Sequence, residues 1–158
     1  MIDAPFQRYC TEVIPEWVDY NGHMNVAYYV LAFDRGTDVL FDVLGIGADY
    51  VRTANHSMFA LEGHIAYERE LRLGEPLAVR STILAADAKR LHVFHEMFHG
   101  REGWRSATFE TMSLHVDMAR RRSAPFPDDV QRVLAAAAAR HAVLPRPEGI
   151  GRRIAMPA

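Results

Sequence analysis

Two hydrophobic patterns organise the chain, and the first has the period of a helix. From Val26 to Phe33 every residue is apolar apart from two tyrosine hydroxyls, and charged residues appear only in the second half of the segment that ends at Leu44. A helix that is apolar on all sides belongs in a core. Asn25 has the side chain of an N-cap, and Gly45 can adopt the left-handed conformation of a C-cap. The pattern predicts a long buried helix that emerges from the core toward its C-terminal end.

The second pattern has the period of a β-strand and fills most of the chain after the helix. Apolar and polar residues alternate there in runs that turn residues separate. Strands are predicted at residues 7–14, 58–71, 77–85, 91–99 and 104–118. A last helix is predicted at residues 130–141 with Asp128 or Asp129 as its cap, and the tail from Pro145 is expected to be loosely held.

This order of elements predicts an α+β fold. One strand and one buried helix come first, and an antiparallel meander of four strands follows. Because the helix is so apolar, we expect the curved antiparallel sheet to wrap around it. We therefore expect one domain at residues 1–142 and a loosely ordered C-terminal tail at 143–158. The long strands leave unpaired edges, which favours association with another subunit.

Composition narrows the possible partners. The chain has 158 residues, of which 49% are hydrophobic and 24% charged, and its formal net charge is -2. This balance gives no reason to expect binding to nucleic acid. The single cysteine, Cys10, fits a reducing compartment, and no apolar run approaches the ~20 residues of a membrane span. We expect a cytoplasmic protein that does not insert into a membrane. His95 and His99 share a strand face but lie about 13 Å apart, so no metal site is expected.

A polar loop before the long helix carries the candidate chemistry. It contains Asp19, Asn21, Gly22, His23 and Asn25 within seven residues. The first N–H groups of a helix and its dipole stabilise a developing negative charge. A carboxylate beside them can attack a polarised carbonyl or activate water. The residue types alone leave two readings at even odds: a hydrolase of activated acyl groups, and a helix-capping loop without chemistry.

Residues 19–29, Asp-Tyr-Asn-Gly-His-Met-Asn-Val-Ala-Tyr-Tyr, followed by an apolar helix, resemble the hotdog-fold acyl-CoA thioesterases of the 4-hydroxybenzoyl-CoA thioesterase type. Four segments resemble more narrowly the betainyl-CoA thioesterases of carnitine degradation. They are Pro-Glu-Trp-Val-Asp-Tyr-Asn-Gly-His, Phe-Ala-Leu-Glu-Gly-His-Ile-Ala-Tyr, Lys-Arg-Leu-His-Val-Phe-His and His-Val-Asp-Met.

The resemblance implies a hotdog fold, an acyl-CoA substrate and no cofactor. It implies Asp19 as the catalytic carboxylate, oxyanion donors among the backbone N–H groups of residues 23–25, and a loop held by His23 and Asn25. It also implies a homodimer or homotetramer, because hotdog sites form between subunits. Hydrolysis of betainyl-CoA to glycine betaine is the specific hypothesis. The alternatives are a thioesterase for short or aromatic acyl-CoA, and a non-catalytic acyl-CoA-binding scaffold.

The remaining candidates would bind substrate. A trimethylammonium group needs aromatic faces, with or without a carboxylate, whereas the coenzyme A phosphates need basic side chains. The candidates for the acyl group are Trp17, Tyr20, Tyr28, Phe59 and Glu62, and those for the phosphates are Lys89, Arg90 and Arg121. Core packing, or a charged surface in contact with solvent, is the competing explanation for each of them.

Overall fold

One antiparallel sheet dominates the computed structural model, which describes residues 2–156. The strand order is β1-β3-β4-β5-β2, and the short β6 pairs with β5. The strands are β1 (Phe6–Glu12), β2 (His56–Tyr67), β3 (Pro76–Ala86), β4 (Arg90–His99), β5 (Arg105–Asp117) and β6 (Arg122–Ser123). β1 and β2 form the two edges of this sheet. The predicted α+β hotdog architecture, a helix held by a curved antiparallel sheet, is confirmed.

Helix α1 (Val26–Leu44) lies against one face of the sheet, here called the inner face. Its ends are those that the sequence predicts. The Asn25 side chain accepts a hydrogen bond from the N–H of Ala27, and Gly45 ends the helix with a φ of 76°. Gly36 is the point of closest approach, because a Cβ there would meet Cγ1 of Val79 on β3 at 2.9 Å.

The expectation that α1 is buried on all sides is wrong for the single chain. Tyr29, Phe33 and Leu40 are buried against the sheet, but Val26 and Val30 are exposed. The exposed valines lie on the side of α1 near edge strand β2, as Val30 lines a groove together with Leu61. Helix α1 therefore has more apolar surface than the fold of one chain buries.

Two shorter helices complete the fold. Helix α2 (Ala48–Ala54) was not predicted, because its seven residues are too few to establish a helical period. Helix α3 (Asp128–Ala142) begins after Pro127, so Asp128 and Asp129 lie in its first turn and neither is its cap. Within residues 2–156, no helix is long and apolar enough to cross a membrane.

Strand β2 ends earlier than its sequence pattern predicts and contains a bulge. The pairing of β2 with β5 shifts between Ala60 and Glu62, which leaves Leu61 as the extra residue. Gly63, two residues later, is paired with Thr111 and is not the extra residue. Gly63 instead allows a close approach, because a Cβ at this position would meet the Phe109 ring at 2.7 Å.

Part of the C-terminal tail is held more firmly than its composition predicts. Arg105 donates a hydrogen bond to the carbonyl oxygen of Glu148 (2.9 Å), and the N–H of Gly151 donates to the Glu110 carboxylate (2.6 Å). Gly149 lies beside the ring of Phe94. These contacts fasten residues 148–152 across the sheet on its outer face, opposite α1.

Candidate active site

The loop before α1 folds into a tight turn around Asp19. The N–H of Gly22 donates a hydrogen bond to the carbonyl oxygen of Asp19 (2.9 Å), and the N–H of Asp19 donates one to the carbonyl oxygen of His23 (3.2 Å). Gly22 has a φ of 78°, a conformation that costs glycine little and other residues more. The turn leaves the Asp19 side chain partly exposed beside the helix N-terminus.

Asn25 connects the Asp19 carboxylate to the helix. Its side-chain N–H group donates to Oδ2 of Asp19 (2.8 Å), while its Oδ1 accepts from the N–H of Ala27 (3.0 Å). The other carboxylate oxygen of Asp19 accepts from the N–H of Asn21 (2.8 Å). One amide side chain thereby fixes the carboxylate relative to the first turn of α1.

The backbone donors at this helix end are not equivalent. The N–H of Met24 donates to Leu71 (2.7 Å) and that of Asn25 donates to Trp17 (2.8 Å), in both cases to the carbonyl oxygen. Two of the expected oxyanion donors are therefore occupied. The N–H groups of His23 and Val26 have no acceptor within residues 2–156, and Val26 is the first residue of the helix, where the dipole is most positive.

The surroundings of Asp19 favour its ionised form. The backbone N–H of Asn21, and then the side chain of Asn25, hold the pKa of the Asp19 carboxyl below its ordinary value. Hydrogen bonds donated to a carboxylate stabilise the charged state. Asp19 is thus a carboxylate at neutral pH, as a nucleophile or a proton acceptor must be.

The His23 imidazole points away from the Asp19 carboxylate. Its Nδ1 lies 3.2 Å from the carbonyl oxygen of Met24, and its Nε2 lies 3.9 Å from the carboxylate of Glu70. His23 also borders a cavity of about 200 Å³ at the helix N-terminus, together with Tyr29 and Tyr67. The His23 side chain therefore approaches the segment after β2. The backbone carbonyl oxygen of His23 accepts the hydrogen bond from Asp19 that closes the turn.

The aromatic candidates near the loop have different environments. Trp17 is only 3% exposed and stacks on Tyr28 with 5.8 Å between ring centroids. In the single chain it has no ring face open to an acyl group, so the expectation for Trp17 is not met, because packing under α1 takes both faces out of solvent. Tyr20 is 96% exposed, and Tyr28 is half-buried.

The candidates for phosphate binding lie at the other end of the sheet. Phe59, Leu114 and Arg90 form one row across β2, β5 and β4, and the Arg121 guanidinium lies 5.6 Å from the Phe59 ring centroid. Lys89 precedes Arg90, which is also paired with Asp87. Phe59 is eight residues before Tyr67, or about 26 Å along the strand. Within one chain these side chains are therefore remote from Asp19.

A groove of about 640 Å³ lies between α1 and the β2 edge of the sheet. Glu62 lies at its rim, and Asp34 and Asp38 line it from the helix. In the sequence both aspartates belong to the only charged side of α1, and Asp34 is a weaker candidate than Asp19 for the catalytic carboxylate because it lies two turns into the helix. Their spacing of four residues indicated a shared face, but not what that face meets.

The histidines do not form a metal site in the part of the chain that the structure describes, where no group of three or more potential ligands is arranged to hold an ion. His95 is fully buried on the inner face, with Nδ1 at 2.8 Å from Oγ of Ser81 and Nε2 at 3.3 Å from Oγ1 of Thr37. Burial lowers the pKa of His95 to about 3. This histidine is a neutral hydrogen-bonding member of the core.

Known proteins resemble the chain in sequence and in structure. It is 42% identical to a betainyl-CoA thioesterase from Pseudomonas aeruginosa, over 94% of both chains. It is 38% identical to an L-carnitine dehydrogenase/betainyl-CoA thioesterase from Rhizobium meliloti, over 96% of this chain and 30% of that protein. A hypothetical protein from Staphylococcus aureus, solved in complex with CoA, superposes with a TM-score of 0.90 at 29% identity, covering 99% of this chain and 98% of that one.

The family assignment rests on a match over most of the chain. The family model described as the thioesterase-like superfamily matches residues 13–134, which include the Asp19 loop, α1 and all strands after β1. The thioesterase resemblance predicted from the loop sequence is confirmed. The chain belongs to the thioesterase-like superfamily.

Proposed function

We propose that the protein is an acyl-CoA thioesterase that hydrolyses betainyl-CoA to glycine betaine and coenzyme A. One observation carries the proposal. The Asp19 carboxylate and the unpaired N–H of Val26 are held at the same helix end through Asn25. A carboxylate beside an oxyanion donor is the arrangement that thioester hydrolysis requires. The 42% identity to a betainyl-CoA thioesterase supports the substrate.

In the proposed reaction the thioester carbonyl oxygen accepts a hydrogen bond from the Val26 N–H. This donor lies at the positive end of α1, so it stabilises the negative charge that develops on the oxygen. Asp19 either attacks the carbonyl carbon or removes a proton from the attacking water. In the first route an acyl-aspartyl anhydride forms and the sulfur of coenzyme A leaves, after which water hydrolyses the anhydride. In the second route water adds directly. Both routes release a carboxylate and a thiol, and neither calls for a cofactor.

We propose that the working unit is a homodimer or larger homo-oligomer joined through β2. The edge of β2 is apolar, since Phe59, Leu61 and Tyr67 are exposed along it and Val26 and Val30 of α1 are exposed as well. A long apolar edge strand is a template for pairing with another strand. Pairing with the same strand of a second copy would bury these side chains.

The same pairing suggests how coenzyme A is held. Two copies of β2 that run antiparallel bring the Phe59 end of one strand beside the Tyr67 end of the other. The basic side chains Lys89, Arg90 and Arg121 of one subunit would then approach the Asp19 loop of its partner and bind the phosphates. The exposed Tyr20 and the half-buried Tyr28 remain our candidates for contact with the substrate from the loop side. Cytoplasmic location remains our expectation.

A coenzyme A release assay tests the function. The purified chain is incubated with betainyl-, acetyl-, benzoyl- and palmitoyl-CoA, and free thiol is measured. We expect turnover with the highest kcat/KM for betainyl-CoA. A preference for a neutral acyl group would remove the proposed substrate. Tight coenzyme A binding without any turnover would instead indicate a non-catalytic binding protein.

A further inference from the structure

The groove between α1 and β2 begins close to the proposed oxyanion donor. Val30 lies at this end of the groove and Asp42 at the other, so the groove follows the helix for about 18 Å. Val30 is four residues after Val26, which corresponds to about 6 Å along the helix axis. An acyl group whose carbonyl oxygen rests on the Val26 N–H therefore has two spaces within reach, this groove and the smaller cavity of about 200 Å³ that Val26 itself lines.

Two hydroxyl-bearing side chains of β5 lie along the wall of the groove. Thr111 and Ser113 of β5 line it, and each is only 7% exposed. Neither hydroxyl is a buried polar atom without a partner, since within residues 2–156 only Nε2 of His141 is one, so both hydroxyl groups remain available to a ligand in the groove. Apolar walls from Phe41, Met58 and Phe109 surround them. Polar groups directed into an apolar-walled groove are typical of a ligand site.

The charge of the groove has one sign. Asp34, Asp38 and Asp42 of α1 and Glu62 of β2 line it, and none of the lining residues is basic. Asp34 and Asp38 form no ion pair within the residues that the structure describes. Burial, with repulsion from Asp34 and Asp42, raises the pKa of Asp38. A cation in the groove would offset this repulsion.

We propose that this groove is the acyl-binding site and that Asp34 selects acyl groups that carry a quaternary ammonium; the proposal rests on the thioesterase function proposed above. A quaternary ammonium cannot donate hydrogen bonds, so charge and aromatic faces are what recognise it. Helical side chains tilt toward the helix N-terminus, which places the Asp34 carboxylate toward the turn that contains Val30. The trimethylammonium of a betainyl group is two bonds from its carbonyl carbon and fits this end. Asp38 lies one turn deeper, about 6 Å farther along the helix.

A pair of substrates of equal shape tests the selection. Betainyl-CoA and 3,3-dimethylbutanoyl-CoA differ by the exchange of the ammonium nitrogen for carbon, so the ratio of their kcat/KM values reports the charge alone. We expect Asp34→Asn to lower this ratio by about tenfold or more, the effect of losing roughly 1.4 kcal/mol of selective binding. Asp38→Asn should lower the ratio by less. Asp49→Asn, in an exposed ion pair with Arg52 on α2, is the matched control and should leave the ratio unchanged.

The outcomes separate this proposal from the proposed function. Suppose that the wild type hydrolyses betainyl-CoA and that Asp34→Asn lowers kcat/KM for both substrates by the same factor. Selection by Asp34 is then wrong, while the proposed function stands. Absence of turnover with every acyl-CoA would instead overturn the function. In that case, cation binding in the groove is tested by titrating the protein with tetramethylammonium. NMR chemical shifts of the backbone amides of Val30 and Thr111 are the measurement. Shifts in the wild type that weaken in Asp34→Asn support the cation site, and their absence overturns it.

Discussion

At the scale of single residues, Asn25 connects the Asp19 carboxylate to the N-terminus of α1. It caps α1 through the Ala27 N–H and donates to the Asp19 carboxylate with the other half of its amide group. A capping interaction and the position of the proposed catalytic group thus depend on the same side chain. The loop sequence contains both residues six positions apart, which is why this part of the site was predictable.

Replacement of Asp19 by asparagine should remove the nucleophile or proton acceptor while keeping its size. We expect Asp19→Asn to lower kcat by at least about a thousandfold, as measured by thiol release from betainyl-CoA. The melting temperature should change little, because Asn at position 19 can still accept from the N–H of Asn21. Asp49→Asn should behave as wild type. Near wild-type turnover by Asp19→Asn would contradict the mechanism.

The low pKa of Asp19 predicts a pH dependence. The carboxylate is the active form, so kcat/KM should hold at neutral pH and fall only as the pH drops through a value below that of an ordinary aspartate. Asn25→Ala removes one of the hydrogen bonds that lower this pKa, so the acid limb should move upward. NMR titration of the Asp19 carboxyl carbon measures the shift directly. An unchanged titration in Asn25→Ala would show that the contact does not stabilise the charge.

Asn25→Ala should also destabilise the fold, since it removes the N-cap of α1. The expected loss is about 1 kcal/mol in the free energy of unfolding, measured by urea denaturation. Asn21→Ala is a useful comparison, because Asn21 holds Asp19 through its backbone N–H and caps no helix. It should leave the stability nearly unchanged.

At the scale of elements, the contact between α1 and β3 has little free space. A Cβ at Gly36 would lie 2.9 Å from Cγ1 and 3.2 Å from Cβ of Val79. Val79 is buried and cannot rotate into solvent. The glycine in mid-helix is therefore explained by the approach of a strand, against its poor helix propensity.

Gly36→Ala tests this contact. Alanine would gain about 1 kcal/mol in helix propensity at an exposed site, but overpacking against Val79 costs about 1–3 kcal/mol, so we expect a net loss of stability in thermal unfolding. Val79→Ala should make room for the new methyl group. In the double variant the two losses should be less than additive, by about 0.5 kcal/mol or more. Strict additivity would mean that the two side chains do not meet.

At the scale of the whole molecule, the two edges of the sheet differ in kind. β1 presents mostly polar side chains to solvent, including Gln7, Arg8 and Glu12, and its pairing with β3 is irregular. Such features discourage pairing with another strand. β2 instead has exposed aliphatic and aromatic side chains, of which Leu61 is 57% exposed. The contrast supports β2 as the contact between copies.

A charge on the β2 edge should break the proposed dimer. We expect Leu61→Lys to shift the molar mass measured by light scattering from that of a dimer toward that of a monomer, because moving an ammonium group from water into an apolar contact between strands is costly. Activity should fall with it, both because the phosphate-binding side chains are proposed to come from the partner and because Leu61 lines the proposed acyl-binding groove, so the molar mass is the deciding measurement. Val143→Lys, which changes an exposed valine outside this surface, should alter neither. A Leu61→Lys variant that keeps the wild-type mass would place the contact elsewhere.

The sequence alone determined the local features of this protein. The caps of α1 and the turn around Asp19 depend on residues a few positions apart, and they appear in the structure where the pattern predicts them. Strands β3, β4 and β5 also lie where the alternation predicts them, whereas the bulge at Leu61 interrupts the alternation of β2. Helix α2 escaped prediction because seven residues carry too little periodicity. The resemblance of residues 19–29 to a thioesterase loop added the chemistry.

Tertiary structure decided which surfaces meet. Periodicity reports that a face is apolar, but not which element covers it. Trp17 therefore gave no sign that it would be buried beneath α1, nor Asp34 that it would line a groove. The pairing of β2 with β5 set Phe59 and Arg121 about 26 Å from the Asp19 end of the sheet, a separation that follows from long-range strand order. Because a site depends on distances in space, the local half of the candidate site could be predicted from the sequence and its distant half could not.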